Sequence, residues 1–434
     1  MDKSSIFGPK KNRVKGAKKT NGNWRVFVDQ CPHRKVPLSE GRIEDDGSLL
    51  CSYHGWRFDG DGTAISIPQL TSENELEKCK SNPRSSCNSF PVQIIDGVLW
   101  VWPDSSRNSN LESALTKVPD LRIENVKDEN VWKGPWNFRE LPYGHDFFIE
   151  NVVDPAHVGV SHHNIVGDRY GDQRMTVKTG SPLSKAGFSI LTSVPGSSND
   201  SATTTFNAPS QVLIEQTFGE NGAKQFLELY SSPSRPGFAN HVGRIVIVKD
   251  ASGTMPSFLK MFTLPLPKWV NHIMSSTFLN QDALFLHAQE RAMAHNNLYR
   301  GSVPGSKDRY EDAILPVSTD KGVLNFRTWM RVFAGGHIPF RGDISMPPSS
   351  NEVVFDVYNS HTKNCRYCLK ALSNLKKARF ASLFAGALLG VIRPSKLGTA
   401  GTVAASIGFS LLGGIIHKLI GLFYRYEYSH ADNH

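Results

Sequence analysis

The sequence predicts an α+β protein with three parts: a small all-β domain, a larger domain in which an antiparallel sheet grips a long helix, and a C-terminal hydrophobic helical hairpin. Three observations predict this organisation. Residues 24–104 consist of short alternating runs separated by tight turns. Residues 187–250 contain four further β-rich runs, and a helical pattern follows them. Residues 380–416 are almost entirely apolar, apart from a short basic interruption that contains a proline.

Composition sets the broad class of the chain. With 434 residues, of which 39% are hydrophobic, the chain has room for two or three domains with ordinary cores. Six cysteines in this length do not form a disulfide framework, which indicates a reducing compartment. The net charge of +9 favours an acidic partner protein or an anionic membrane surface. Nucleic acid is not expected as a partner, because no nucleic-acid-binding motif accompanies the charge.

The expected boundaries follow changes in composition. Residues 1–23 are polar and basic, and we expect them to be disordered, with no apolar run long enough for a secretory signal. We expect the small domain to span residues 24–104, a polar linker residues 105–130, the larger domain residues 131–362, and the tail residues 363–434.

Two short Cys/His pairs lie in the small domain: Cys31 with His33, and Cys51 with His54. Each pair offers one thiolate and one imidazole, so we expect the four side chains to hold one metal centre. If the thiolates bind one iron and the imidazoles the other, the centre is a Rieske [2Fe-2S] cluster. The ligand types also permit a structural zinc site. The cluster is favoured because the loops read CPHRKVPLSEGR and CSYHGWRFDGDGTAISIPQ, which resemble the two cluster-binding loops of Rieske oxygenases.

The larger domain contains a second set of candidate ligands, His157 and His162. Positions five apart on a helix are offset by about 140°, so the imidazoles converge only if the helix is distorted or ends between them. Gly159 favours such a break. Two imidazoles and one carboxylate form the facial triad of mononuclear non-heme Fe(II) oxygenases. The preferred carboxylate is Asp282, at the start of the downstream helical pattern, in a stretch that also resembles Rieske oxygenases.

Other polar residues near these positions rank lower as ligands. Asp146 and Glu150 are rival carboxylates. Three nearby histidines are expected at the surface or behind the ligands: His145, His163 and His287. The resemblance to Rieske oxygenases further implies that Asp154 joins a cluster-binding histidine of a neighbouring subunit to His157 and gives the electron a hydrogen-bonded path. Such a path requires an oligomer, usually a head-to-tail trimer. The resemblance also implies that Asn151 contacts or supports the iron.

The tail begins with a CxxC motif formed by Cys365 and Cys368. Because no second cysteine pair accompanies the motif, a closed four-ligand zinc site is not expected there. The motif is interpreted either as a dithiol that can be oxidised or as two inert thiols. Cys79 and Cys87 are expected to be ordinary side chains in a surface insertion of the small domain.

Two apolar runs follow, residues 380–392 and 397–416, separated by the basic segment 393–396. The second run is long enough to cross a bilayer of about 30 Å, and the first is marginal. We therefore expect a hairpin that anchors the chain in a membrane. The alternative is a buried amphipathic hairpin that packs on the protein.

The metal motifs, the DPAH sequence at residues 154–157, the CxxC and the hydrophobic tail together resemble the pheophorbide a oxygenase-like group of chloroplast and cyanobacterial Rieske oxygenases. The resemblance implies a Rieske monooxygenase with a [2Fe-2S] cluster and a mononuclear non-heme Fe(II). It implies that the enzyme uses O2 and electrons from ferredoxin to oxidise pheophorbide a, chlorophyllide a or protochlorophyllide a. It also implies an inner-envelope or thylakoid location in the plastid, with the catalytic domains on the stromal side and the CxxC open to thioredoxin.

Two other functions stay open. The chain could be a non-enzymatic redox component of a protein-import complex, with the cluster and the CxxC as sensors. It could also be the same class of enzyme acting on another apolar substrate, such as a sterol. The presence of both histidines together with Asp154 and Asp282 favours an enzyme over a sensor, because a sensor needs none of these residues.

Overall fold

The computed structural model describes residues 24–431 except for the following gaps: 107, 122, 124–125, 195–200, 219–221, 296–312, 339, 341–345, 347–348 and 393–397. The expected disordered segment 1–23 and the basic turn 393–396 lie outside the described residues. The chain divides into two compact units, residues 1–120 and residues 121–434. The α+β class with antiparallel sheets is confirmed.

The first unit is built from short strands. Within its described residues these are β1 (Val26–Phe27), β2 (Arg42–Ile43), β3 (Leu49–Leu50), β4 (Arg57–Phe58), β5 (Ala64–Ser66), β6 (Ser89–Phe90), β7 (Val92–Ile95) and β8 (Val98–Val101). Strands β2 to β5 form one antiparallel sheet, β1 pairs with β6, and β7 pairs with β8. The carboxylate of Asp59 accepts the N–H groups of Asp61 and Thr63, which closes the tight turn between β4 and β5. Two helices join this unit: α1 (Glu73–Ser81) and α2 (Ser109–Leu115).

The second unit contains an eight-stranded antiparallel sheet. Its strands are β9 (Val131–Lys133), β10 (Asn137–Leu141), β11 (Thr176–Thr179), β12 (Gly187–Ser193), β13 (Ser201–Asn207), β14 (Gln211–Phe218), β15 (Ala223–Arg235) and β16 (Phe238–Val248). The order along the sheet is β10-β16-β15-β14-β13-β12-β11, and β9 pairs with β16. Alternating buried positions, such as those along β10, turn one face of each strand toward the core.

Helices make up most of the rest of this unit. They are α3 (His145–Val152), α4 (His157–Ser161), α5 (Ser257–Lys260), α6 (Lys268–His295), α7 (Lys321–Phe333), α8 (Asn351–Val354), α9 (Arg366–Ile392) and α10 (Gly398–Gly421). The largest buried cluster joins side chains of α3, α6 and α7 to the inner face of the sheet. Helix α6 begins directly after Pro267, a residue suited to helix starts. The expectation that Asp282 opens this helix is wrong, since Asp282 lies near its middle.

Helices α9 and α10 form the hairpin. The hydroxyl of Ser382 donates to the carbonyl of Phe409 at 2.6 Å, and that of Ser406 donates to the carbonyl of Gly386 at 2.7 Å. Small residues and hydroxyl groups thus bring the two backbones close together, as in membrane helix pairs. Among the described helices, α10 alone is long and apolar enough to cross a membrane, and only 17% of its most apolar stretch is buried.

Candidate metal centres

The two Cys/His loops of the first unit fold in the same way. In each loop, the N–H of the cysteine donates to the carbonyl five residues later, at 2.8 Å in both cases. Each loop reverses through one residue in the left-handed region, Lys35 with φ 60° and Gly55 with φ 75°. The two turns place Cys31 and Cys51 at equivalent positions of facing loops.

The thiols of this site point inward and the imidazoles outward. Cys31 and Cys51 are 1% and 2% exposed, whereas His33 is exposed and its ring lies 4.7 Å from that of His54, centroid to centroid. Trp56 stacks on His33 with an interplanar angle of 7°. In the described part of the chain, two sets of three or more metal-binding donors gather within 4.8 Å, and these four residues are not one of them. The four donors therefore do not gather around one point, which fits a binuclear cluster better than a single ion.

The other two cysteines of this unit differ from each other. Cys87 is only 4% exposed and packs in the same core as Cys31 and Cys51, so the expectation that it lies in a surface insertion is wrong. Burial raises the pKa of Cys87 above its ordinary value. Cys79 is half-buried, and both are free thiols.

In the second unit, His157, His162 and Asp282 converge. Their donor atoms all lie within 4.8 Å of one another. The Oδ2 atom of Asp282 is 3.2 Å from Nε2 of His162 and 3.9 Å from Nε2 of His157. His162 and Asp282 are buried, and the side chain of His157 is 16% exposed. Two imidazoles and one carboxylate therefore meet at a site with one partly open side, which is the donor set of a facial triad.

The end of helix α4 makes this convergence geometrically feasible. The helix stops at Ser161, and His162 follows it with φ −97° and ψ 33°, outside the helical region. The expected break between the histidines is thus present, but it lies at His162 and not at Gly159, which stays inside the helix. The carbonyl of His162 then accepts a hydrogen bond from the N–H of Gly167, which closes a turn after the helix.

Each imidazole is fixed through its second nitrogen. Nδ1 of His157 donates to the backbone carbonyl of Asp154 at 2.6 Å, and Nδ1 of His162 is 2.8 Å from Oε1 of Gln281. A carbonyl oxygen only accepts, so Nδ1 of each ring donates, and Nε2 is the nitrogen that faces Asp282. The ring of His162 also stacks on Phe278 at 3.9 Å. Both Gln281 and Phe278 are positioning residues that the sequence did not indicate.

Asp282 is kept ionised. Burial opposes its charged form, but the hydrogen bond with His162 and the charge of His157 outweigh burial, so the pKa of Asp282 lies below its ordinary value. The amide of Asn151 donates to Oδ2 of Asp282 at 3.1 Å. The carboxylate of Asp154 lies 3.9 Å from Nδ1 of His157, and burial raises its pKa.

The lower-ranked candidates lie outside this donor set. Glu150 forms an ion pair with Arg327 of helix α7. Asp146 is buried, at 3% exposure. None of the three neighbouring histidines lies at the surface: His145, His163 and His287 are all buried. Nδ1 of His287 donates to the carbonyl of Pro142 at 2.7 Å, and burial lowers the pKa of His287 to about 4.

The CxxC of the tail has two further donors beside it. His272 of α6 and His361 lie with Cys365 and Cys368 so that the four donor atoms are all within 4.8 Å of one another. The expectation that no closed four-ligand site forms at the CxxC rested on the absence of a second cysteine pair, but two histidines supply the further donors, one of them 93 residues from Cys365. The sequence held one local indication, His361 four residues before Cys365.

Comparison with solved structures places the fold among Rieske oxygenases. Dicamba monooxygenase bound to dicamba matches 73% of this chain and 90% of its own length with a TM-score of 0.51 at 18% identity. NdmA of Pseudomonas putida CBB5, a QL mutant with theobromine, matches 72% of this chain and 79% of its own length with a TM-score of 0.51 at 17% identity. The fold and the two donor sets define the class: a Rieske protein with a mononuclear non-heme iron site.

Sequence comparison gives the family. Residues 10–91 match the Rieske [2Fe-2S] domain and residues 206–298 match pheophorbide a oxygenase. Pheophorbide a oxygenase of Oryza sativa subsp. japonica is 31% identical over 80% of this chain and 66% of its own length. Flavonoid 8-hydroxylase 2 of Ocimum basilicum is 27% identical over 94% of this chain and 78% of its own length. Protochlorophyllide-dependent translocon component 52 of Arabidopsis thaliana is 27% identical over 94% and 78%. The chain belongs to the pheophorbide a oxygenase family of Rieske oxygenases.

Proposed function

We propose that this chain is a membrane-anchored Rieske monooxygenase that uses O2 and electrons from ferredoxin to oxidise a chlorophyll-derived tetrapyrrole in a plastid. The observation that carries the proposal is the convergence of His157, His162 and Asp282 in a chain related to pheophorbide a oxygenase. When bound, the [2Fe-2S] cluster supplies single electrons and the mononuclear iron supplies O2 activation. The cluster would be held by Cys31 and Cys51 on one iron and by the two loop histidines on the other.

The residues around the iron donors have separate tasks in this proposal. Gln281 holds the ring of His162 so that its Nε2 faces the iron position. Asn151 donates to the carboxylate of Asp282 and sets its orientation. Because Asn151 and Gln281 act through the ligands, we assign them as positioning residues.

Asp154 is proposed to join a cluster-binding histidine of a neighbouring subunit to His157, so that an electron passes between them along hydrogen bonds. Its side chain is 29% exposed, so a second copy of the chain can reach it, and His33 is exposed on the other unit. Three apolar side chains that follow the first iron histidine are also exposed: Val160, Ile165 and Val166. An exposed apolar rim beside a buried charge cluster supports contact with another subunit, and a homotrimer is the assembly we propose.

The hairpin is proposed to anchor the enzyme in the inner envelope or the thylakoid membrane, with the catalytic units in the stroma. Its outer faces expose large apolar side chains, among them Phe380, Val391, Leu411 and Ile415. Exposed apolar faces on a helix of 24 residues support burial in lipid. Thioredoxin is a further candidate partner if Cys365 and Cys368 alternate between dithiol and disulfide.

The first test is a metal analysis of anaerobically purified chain. Iron, sulfide and the EPR spectrum of the reduced protein would be compared for wild type, His157→Ala and the control His337→Ala, which lies outside the donor sets. We expect a Rieske signal in all three and loss of the mononuclear iron only in His157→Ala. Cluster iron alone, unchanged by His157→Ala, would refute the oxygenase and leave an electron-carrying or sensing role.

The second test identifies the substrate. Reduced ferredoxin and O2 would be supplied with pheophorbide a, chlorophyllide a or protochlorophyllide a, and in parallel with a flavone and a 4-methylsterol. We expect oxidation of a tetrapyrrole and none in His157→Ala. Oxidation of the flavone or the sterol alone would retain the enzyme class and overturn the tetrapyrrole assignment.

A further inference from the structure

Four metal-binding side chains, two thiols and two imidazoles, meet at the base of the hairpin, about three helical turns from Asp282 along α6. Nδ1 of His272 lies 3.4 Å from Sγ of Cys365 and 3.4 Å from Sγ of Cys368. Nε2 of His361 lies 3.3 Å from Sγ of Cys368. The rings of the two histidines are 4.9 Å apart and nearly perpendicular. Three of the four side chains are buried, with Cys368 only 1% exposed.

The imidazole of His361 presents a lone pair to this point. Nδ1 of His361 is hydrogen-bonded to the backbone carbonyl of Phe138, and because that oxygen only accepts, Nδ1 donates and Nε2 keeps its lone pair toward the thiols. A histidine that donates its other N–H to a backbone carbonyl is the usual arrangement at metal sites. His272 contacts both sulfurs through one nitrogen, so a single point lies between all four donors.

The distances between the sulfur and nitrogen donors fit a single tetrahedral ion better than a cluster of several metal ions. With Zn–S bonds of about 2.3 Å and Zn–N bonds of about 2.0–2.1 Å, neighbouring ligands of a tetrahedral zinc are roughly 3.3–3.8 Å apart. The three sulfur–nitrogen distances here, 3.3, 3.4 and 3.4 Å, fall in that range. The donors of the Rieske loops, which are of the same types, do not gather within 4.8 Å of one another. The closed donor set leaves no position for a substrate, which distinguishes a structural site from a catalytic one.

We propose that His272, His361, Cys365 and Cys368 form a structural zinc site. The ion joins three segments: helix α6, the turn before α9, and the first turn of α9. It therefore fastens the base of the membrane hairpin to the helix that contains Asp282. Binding of Zn²⁺ displaces the thiol protons to solvent and changes no oxidation state.

The site is tested by metal analysis of the full chain, purified in detergent under anaerobic, reducing conditions and passed through chelator. Zinc would be quantified in wild type, in the double variant Cys365→Ser/Cys368→Ser, in His361→Asn and in the control Cys79→Ser. We expect about one zinc per chain in wild type and control, and at least a tenfold loss in the other variants. The EPR signal of the Rieske cluster should be retained in all of them.

A second measurement uses wild type alone, so that misfolding of a variant does not decide the outcome. Co²⁺ added to zinc-depleted chain should give the visible bands of tetrahedral cobalt together with a thiolate charge-transfer band. A mercurial that titrates two thiols should release the zinc to a colorimetric indicator. Wild type without zinc, with no tetrahedral cobalt spectrum and with a thioredoxin-reducible Cys365–Cys368 disulfide, would overturn the site. Zinc that survives the double cysteine variant would place the ion elsewhere and would overturn it equally.

Discussion

Replacement of Gln281 by leucine tests how the iron site is held. Oε1 of Gln281 is the acceptor for Nδ1 of His162, and both residues are 1% exposed, so water cannot replace the lost acceptor. Nε2 of Gln281 has no hydrogen-bond partner among the described residues. Leucine is similar in size to glutamine, so the only energetic cost of the substitution is that the N–H of His162 loses its hydrogen-bond acceptor.

That cost sets the expected effect. A buried N–H without an acceptor costs about 1–3 kcal/mol, and about 1.4 kcal/mol corresponds to a tenfold change in an equilibrium constant. We therefore expect Gln281→Leu to weaken Fe(II) binding at the mononuclear site by about 10- to 100-fold, the usual effect of removing the hydrogen-bond partner of a metal-bound histidine. The Rieske cluster should be unchanged, because Gln281 belongs to the other unit.

The assay is an anaerobic Fe(II) titration against a competing chelator, with cluster iron subtracted by spin quantitation. Gln289→Leu is the matched control, since it changes the same residue type two turns further along the same helix. Equal Fe(II) affinities for wild type and Gln281→Leu, with intact folding, would refute the assignment of His162 as a ligand positioned by Gln281.

Three further predictions concern stability and anchoring. Arg327→Met removes the guanidinium that pairs with the half-buried carboxylate of Glu150 and should lower the free energy of unfolding by about 3 kcal/mol in a denaturant titration. Burial lowers the pKa of His241 and of His287 from 6.5 to about 4, so the unfolded chain binds more protons between these values. The free energy of unfolding should therefore fall as the pH drops from 6.5 to 4, by up to about 3 kcal/mol per histidine. Ile407→Arg, at an exposed position of α10, should cost about 2.5–3.5 kcal/mol of membrane insertion and move the chain into the carbonate-extracted fraction.

Each of these has a control. Arg331→Met changes an exposed arginine of the same helix and should leave stability nearly unchanged. His337→Gln should keep the pH dependence, whereas His287→Asn should reduce it. Leu115→Arg adds the same charge at an exposed position outside the hairpin and should not alter the membrane fraction. Equal behaviour of a test variant and its control would contradict the corresponding argument.

The sequence was most informative where the chemistry is local. Cys31 with His33 and Cys51 with His54 lie two and three residues apart, so one loop presents each pair without help from the rest of the fold. His157 and His162 are also close in sequence, but their convergence depends on the helix ending at Ser161. Cys87 was misplaced because burial of a single cysteine in a connection leaves no periodic pattern.

Metal donors that come from separate helices or turns could not be predicted from short sequence spacings. His272 is 93 residues from Cys365 and stands on a helix whose start the sequence placed too late, so nothing linked it to the CxxC. Gln281 is the sequence neighbour of Asp282, but its contact with His162 spans 119 residues. Such contacts arise from the packing of α6 against the rest of its unit, which the sequence alone did not specify.

Helix α6 connects the Cys/His cluster at the base of the hairpin to the iron donors. His272 and Asp282 are ten residues apart on it, which is about 15 Å along the helix axis. The segment after the hairpin returns to the same helix, where Nδ2 of Asn280 donates to the carbonyl of Tyr426 at 2.6 Å and Nε2 of His430 donates to the carbonyl of Gln281 at 2.7 Å. The tail therefore contacts α6 at the Cys/His cluster and again beside the iron donors. Because a helix is stiff over three turns, we expect a displacement at the base of the hairpin to shift Asp282 as well.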